Sequence, residues 1–144
     1  MLTEDNKALL RRYYDEVINK KNTTAIDEFI DPQMIDHTAP PDLPGGIEGQ
    51  RQAASMYLTA FPDTHFMVED MIAEGDKVVV RLSMSVTQHG AFLGLPPTGK
   101  HVTFTGIDII RIAGDKLVER WAETDMLGLL QQLGVVPPQE QASS

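Results

Sequence analysis

Apolar positions along the 144-residue chain follow two different spacings, and the change falls at Pro62. Upstream, Ala8, Leu9, Tyr13, Val17 and Ile18 recur at intervals that put them on one helical face, which predicts a helix over 3–19. Thr3 is its expected N-cap, with Glu4 and Asp5 in the first turn, where acids are favourable. Ala25, Ile26, Phe29 and Ile30 predict a second, shorter helix over 24–30, capped by Asn22 or Thr23 and stopped by Pro32. Met34 to His37 reads as a short extended piece. Pro40, Pro41 and Pro44 mark the next stretch as an ordered loop or lid. A third helix is expected over 49–60, with Ala53, Met56, Tyr57 and Ala60 inward and Phe61-Pro62-Asp63 at its end.

Downstream the period becomes two. Strands are expected over 65–73, 77–89, 101–112 and 117–124. The Gly-Asp pairs in 74–77 and 113–116 suit tight hairpin turns. Residues 90–100 form a longer glycine- and proline-rich connection, and a short helix over 126–133 ends at Gly134. Asp125 is placed to cap that helix. Helices followed by a meander of long strands predict one α+β domain over 1–134, with 135–144 as a loosely ordered tail. In this arrangement the three N-terminal helices cover one face of a curved antiparallel sheet.

Composition narrows the chemistry. The chain has no cysteine, so disulfides, thiolate metal sites and thiol catalysis are excluded. Twelve lysines and arginines against 21 aspartates and glutamates give a formal net charge of −9, with no basic cluster. Nucleic acid and anionic membrane surfaces are therefore not expected partners. No apolar run approaches the roughly 18 residues of a spanning helix, and the acidic N-terminus is unlike a signal peptide, so the expected location is the cytoplasm. The four histidines show no metal-ligand spacing, and no nucleotide-binding or nucleophile-elbow motif is present. No metal and no cofactor are expected.

Strand parity singles out one acid. Over 101–112, one face carries Val102, Phe104, Gly106, Asp108, Ile110 and Ile112. A carboxylate on this apolar face is chemically unusual, and Gly106 beside it leaves room for a ligand or a bend. Desolvation disfavours an ionised carboxylate, which suits proton transfer near neutral pH. In the last strand Leu117, Glu119, Trp121 and Glu123 alternate with Val118, Arg120 and Ala122. Arg120 either serves as an anion partner in a pocket or pairs with Asp108 on the neighbouring strand. Trp121 is expected on the opposite face, in a core or an interface, and Glu119 and Glu123 in solvent. Asp36 and His37 are sequence neighbours in an extended piece, so only one of them can face inward. His65 and His101 stand at strand starts and are expected in solvent.

The strings FPDTHFMVEDMIAEGDKVVVR (61–81), GAFLGLPPTGKHVTFTGIDIIRIAGDKLVERW (90–121) and DMLGLLQQLG (125–134) resemble the SnoaL-like polyketide cyclases, or ester cyclases, of the nuclear-transport-factor-2-like superfamily. The resemblance spans about residues 5–134. It implies a cone-shaped, barrel-like α+β fold, an internal pocket between helices and sheet, and a homodimer packed through the sheet. By matching position, Asp108 stands where the cyclases carry a pocket histidine, and Asp36 where they carry a ligand-facing polar group. Ala122 stands where they carry the aspartate proposed as general acid/base, and that departure puts the aldol-cyclase mechanism in question. His89 is expected at the cone mouth, one place after the position where many relatives have histidine and this chain has Gln88. Phe92, Leu93, Leu95 and Pro96 form an expected apolar rim, and Phe104, Gly106 and Arg120 are expected substrate contacts.

Two functions follow. The first is a cofactor-independent enzyme that moves a proton beside a carbonyl on a small hydrophobic molecule, by aldol cyclisation or isomerisation. Asp108 or His37 would act as acid or base, with Asp36 and Arg120 as orienters. The second is a non-catalytic binder of a small hydrophobic ligand. An Asp108 neutralised by Arg120 in a dry salt bridge would weaken the first. An unpaired Asp108 in an apolar cavity near His37 would strengthen it.

Overall fold

The computed structural model describes residues 2–135; the expected tail therefore lies, from residue 136 onward, outside the described residues. Helix α1 spans Leu2–Tyr13 and carries Glu4 and Asp5 in its first turn and Arg11 and Arg12 in its last, matching both ends of the helix dipole. Because the helix already includes Leu2, Thr3 lies within it and is not its N-cap. The expected single helix changes character at Tyr14: Tyr14–Asn19 forms a π-helical segment. Leu10, Tyr14 and Val17 keep the buried stripe across that change. At the far end, the Asn19 side chain donates to the Phe66 carbonyl at 3.0 Å and accepts from the Phe66 N–H at 2.7 Å, which pins the segment to the sheet.

The second helical region is a 3₁₀ turn, Thr23–Ala25, followed by α2, Ile26–Phe29. Strand β1, Ile30–Asp36, begins at once and absorbs Pro32, which an edge strand tolerates. Helix α3 spans Gly46–Ala60. Ala60 is buried at its end, but Met56, expected inward, is 62% exposed. Strands β2 (His65–Glu74), β3 (Lys77–Thr87), β4 (His101–Ala113) and β5 (Lys116–Thr124) follow, then helix α4, Met126–Gln132. Asp125 caps α4 through the Gly128 N–H at 2.9 Å. Gly114 and Asp115 both adopt positive φ (57° and 58°), the conformation of a type I′ hairpin turn. Among the described residues no helix is long and apolar enough to cross a membrane.

The sheet is five-stranded in the order β1-β5-β4-β3-β2, open rather than closed. It is mixed, not wholly antiparallel, because β1 runs parallel to β5. A bulge separates the pairs Arg111↔Glu119 and Ile112↔Leu117. The bulge reverses parity along β5. Leu117, expected on the face of Glu119 and Trp121, instead joins Ile112 in the core and is 1% exposed.

Helices α1 to α3 cover the concave face, whose inward side chains form two apolar clusters. One gathers Leu10, Val17, Ile26, Phe29, Val80, Ile110 and Leu117. The other gathers Phe61, Met84, Val102, Phe104, Leu129 and Leu133. Along β4, Val102 and Phe104 belong to the second cluster and Ile110 and Ile112 to the first. Gly106 and Asp108 occupy the seam between them. A polar group at that point interrupts neither cluster, which is how the fold tolerates it.

Gly49 offers a test of the packing beneath the proline-rich loop. In a helix interior Ala is preferred over Gly by about 1 kcal/mol, yet a Cβ on Gly49 would overlap the Pro44 carbonyl oxygen. Gly49→Ala is therefore expected to destabilise the chain, by about 1–3 kcal/mol. Urea unfolding should show a lower midpoint; a higher one would mean that propensity outweighs the contact.

Candidate functional site

Five polar side chains from five separate elements meet on the concave side. Asp108, 7% exposed, accepts a 2.6 Å hydrogen bond at Oδ2 from the hydroxyl of Tyr14, the first residue of the π-helical segment. Its Oδ1 receives a 3.4 Å contact from Arg120 Nη2. Arg120 lies on β5 opposite Ile110, two register positions from the Asp108↔Ala122 pair and so on the same face. Its Nη1 makes a shorter bond, 2.8 Å, to Asp36 Oδ2. Asp36 faces Arg120 because β1 and β5 pair in parallel with Asp36 opposite Arg120. Gln50 Nε2 of α3 also donates to Asp36 Oδ2, at 2.9 Å, and the Thr38 N–H and hydroxyl donate to Oδ1 at 3.0 and 3.1 Å. The result is a ladder: Tyr14, Asp108, Arg120, Asp36, Gln50.

The ladder's electrostatics follow from one cation shared by two carboxylates. Burial works against ionisation of the Asp36 carboxyl, but Arg120, Gln50 and the Thr38 N–H outweigh it and hold it below the usual carboxylate range. Burial likewise opposes the charge on Arg120, and the adjacent Asp108 and Asp36 more than compensate, so the guanidinium stays charged. Burial and Asp108 raise the Tyr14 phenol well above its ordinary value, which keeps it a donor. Burial also pushes the Tyr13 phenol up to about 12, opposed by Arg120 and reinforced by Asp108 and Asp36. Tyr13, Phe66 and Ala122 are only half-buried.

His37 does not join Asp108. It points to the convex face, stacked on Trp121 with ring centroids 4.8 Å apart and planes 10° from parallel. Its Nε2 lies 2.6 Å from Glu119 Oε2, and Arg111 Nε donates to Glu119 Oε1 at 2.8 Å. Glu119, expected simply in solvent, is therefore held by two partners, which keep its carboxyl below the usual range. Lys77 Nζ lies 5.6 Å from the Trp121 ring. Asp36 and the residue after it, His37, thus meet adjacent residues of β5 on opposite faces, Asp36–Arg120 inside and His37–Glu119 outside. The physical reason is the alternation of side chains along both strands.

The remaining expected contacts divide. Gly106 and Phe104 are buried beside Asp108's strand position, and a Cβ on Gly106 would come within 2.9 Å of Met84 Cε. Phe92 packs on Phe61 at 4.8 Å. His89 is exposed. The buried residue there is Gln88, whose Nε2 donates to the Gly90 and Pro96 carbonyls (3.2 and 3.3 Å) and whose Oε1 accepts from Thr98 Oγ1 at 2.8 Å. Gln88 organises the 90–99 connection, a role visible in sequence only as inward parity on β3. Tyr14 lies outside the stripe that the spacing predicts, which runs through Tyr13, yet it is the tyrosine that is buried at 2% exposure and bonded to Asp108. Asp36 and Gln50 also line a groove of about 380 Å³ beneath the proline-rich loop, with Met34, Pro40, Leu43 and Pro44. Among the described residues no group of three or more His, Asp or Glu side chains is arranged to hold a metal ion.

A family model described as SnoaL-like polyketide cyclase matches residues 8–133. Among solved structures, TsrD from Streptomyces laurentii is 29% identical, with a TM-score of 0.84 over 92% of this chain and 97% of its own. AclR from Streptomyces galilaeus, provisionally a hydroxylase, is 27% identical with a TM-score of 0.84, over 96% and 87%. IdmH from Streptomyces antibioticus, provisionally a polyketide cyclase, is 30% identical with a TM-score of 0.78, over 90% and 99%. No curated protein matches the chain.

Asp36 yields a pH prediction. Its carboxyl is depressed in the fold, so its contribution to stability is present above the unfolded-chain value near 3.9 and is lost as pH falls through the folded value. Asp36→Asn should lower stability at pH 7 by about 1.5–3 kcal/mol, the range for hydrogen bonds to a charged group. The gap between the two proteins should shrink on acidification below about pH 4. Urea midpoints measured at pH 7 and pH 3 check this; a gap independent of pH would show that the Asp36 charge contributes nothing.

Proposed function

The chain belongs to the SnoaL-like polyketide cyclase family, and from that premise we propose that it acts on a small hydrophobic carbonyl compound bound against the concave face, by cofactor-independent proton transfer at Asp108. The observation that carries this reading is the unequal sharing of Arg120. Asp36 takes its 2.8 Å bond, and Asp108 is left with a 3.4 Å contact. Asp108 is nonetheless paired: its side chain is 10% exposed beside an Arg120 side chain that is 30% exposed, and His37 lies on the opposite face. Asp108 keeps one short hydrogen bond, from Tyr14, and one oxygen only loosely held. A substrate carbonyl accepting from Arg120 would place its neighbouring carbon near that oxygen. Asp108 then removes the proton, the resulting enolate carbon bonds to a second carbonyl carbon, and the proton passes to the oxygen of the new hydroxyl. No electrons are gained or lost overall. One positioned acid/base of this kind accounts for roughly 10²–10⁴-fold of rate.

A second reading, binding without catalysis, is favoured by one observation: Asp108 pairs across the sheet with Ala122, so no second carboxylate stands opposite it. Both readings use the same contacts. We also infer a homodimer packed through the convex face, supported by Met67, Ile72 and Ile107, which are 54%, 64% and 45% exposed on that side.

Turnover of a panel of polyketide-like β-ketoesters separates the two functions. The native chain should turn over at least one, and Asp108→Asn should lose about 10²–10⁴-fold of that rate. Equal rates would sink the assignment of Asp108, and binding without turnover by the native chain would establish the second reading. Sedimentation equilibrium should give twice the chain mass for the native protein and the single mass for Ile107→Asp. A native monomer would overturn the dimer.

A further inference from the structure

The end of β1 that carries Asp36 is held to β5 by few backbone contacts. β1 is an edge strand, and its register breaks between Ile30 and Ile35. Beyond the break Ile35 pairs with Glu119 and Asp36 with Arg120, and the His37 N–H donates to the Arg120 carbonyl at 2.9 Å. Asp36, a member of the ladder, is the last residue of the strand. Side chains must supply the anchorage that so short a pairing does not.

His37 supplies it on the convex face. Its ring lies flat on Trp121, and its Nε2 meets Glu119 Oε2 at 2.6 Å. The charged groups that face it come from three strands: Glu119 of β5, Arg111 of β4 bonded to that same carboxylate, and Lys77 of β3 against the Trp121 ring. Glu123 follows on the same face of β5 and is exposed. Helix α3 packs on the other side of β1, where Gln50 meets Asp36. The bonds from His37 and Arg111 hold the Glu119 carboxyl below the usual range, so it is an anion wherever an imidazole titrates. A neutral His37 offers this anion one hydrogen bond, and a protonated His37 adds a full opposite charge.

We propose that His37 is a proton-responsive positioning residue: protonation tightens its clasp on Glu119, which holds the end of β1 in register and keeps Asp36 on Arg120. The clasp stands on one face of the sheet and the ladder on the other. A proton taken up on the convex side thereby sets how firmly the inner carboxylate is held. The clasp requires only the geometry of the ladder and not proton transfer at Asp108, so the failure of either leaves the other standing.

Trp121 is the only tryptophan of the chain and reports the clasp directly, because a protonated imidazole stacked on an indole quenches its fluorescence. Native fluorescence should rise through one step between about pH 5 and pH 8. The step should be absent in His37→Gln, which is never charged, and in His37→Arg, which always is. A double-mutant cycle of His37→Gln with Asp36→Asn, read by urea unfolding, tests the link to the ladder. At about pH 5.5 the double variant should lose about twofold to fivefold less in folding constant than the two single losses multiplied, the size of a partly exposed ion pair. At about pH 8 that excess should vanish. The same cycle in a Glu119→Gln background should show no excess at either pH, whereas a direct charge interaction between Asp36 and His37 would survive there. The clasp is overturned by a native chain without the fluorescence step, by a step that persists in His37→Gln, or by single losses that simply multiply at both pH values. A coupling that survives Glu119→Gln would overturn it as well.

Discussion

Arg120 is the constraint on which the site is built. A single guanidinium lies between two buried carboxylates that come from opposite ends of the sequence, Asp36 on the edge strand and Asp108 on a central strand. Buried carboxylates are costly unless paired and hydrogen-bonded. The fold meets that cost by surrounding the pair with donors: Tyr14 for Asp108, and Gln50 and Thr38 for Asp36. Every element that contributes a member to the ladder is thereby fixed relative to the others.

The β1–β5 pairing makes this arrangement possible, and it is held from both faces. Parallel register sets Asp36 opposite Arg120. The next residue, His37, meets Glu119 on the far side, and the Trp121 ring covers it. An edge strand bound only by backbone hydrogen bonds could slip, and a slip of one residue would exchange the faces. Here it would turn Asp36 out of the ladder and His37 into it. The two side-chain contacts oppose that slip, so His37 supports the site without entering it.

The seam between the two apolar clusters is where polarity is affordable. Gly106 and Asp108 lie there, and Phe66 packs against both clusters. Asp108 is thus a polar group with an apolar cluster on either side of it along the strand. The fold is shared with relatives that carry different names, so the fold alone does not decide the chemistry. In this chain Ala122 pairs with Asp108 across the sheet, so no second carboxylate stands opposite it.

Much of the architecture was legible from local pattern. Period-two alternation placed Asp108 and Gly106 inward on β4, Gly-Asp pairs marked the hairpins, and Asp125 capped the final helix where expected. These follow from nearest-neighbour geometry, which a sequence carries directly. Parity also established that only one of Asp36 and His37 could face inward. It could not say which, because that depends on β1 pairing in parallel with a strand more than 80 residues away in the chain. The bulge that turned Leu117 inward, the π-helical segment that presents Tyr14, and the sharing of Arg120 were decided in the same way. Each arises from contacts between distant segments. Local alternation determines the face of a strand on which a side chain stands, and only the packed structure determines what it meets there.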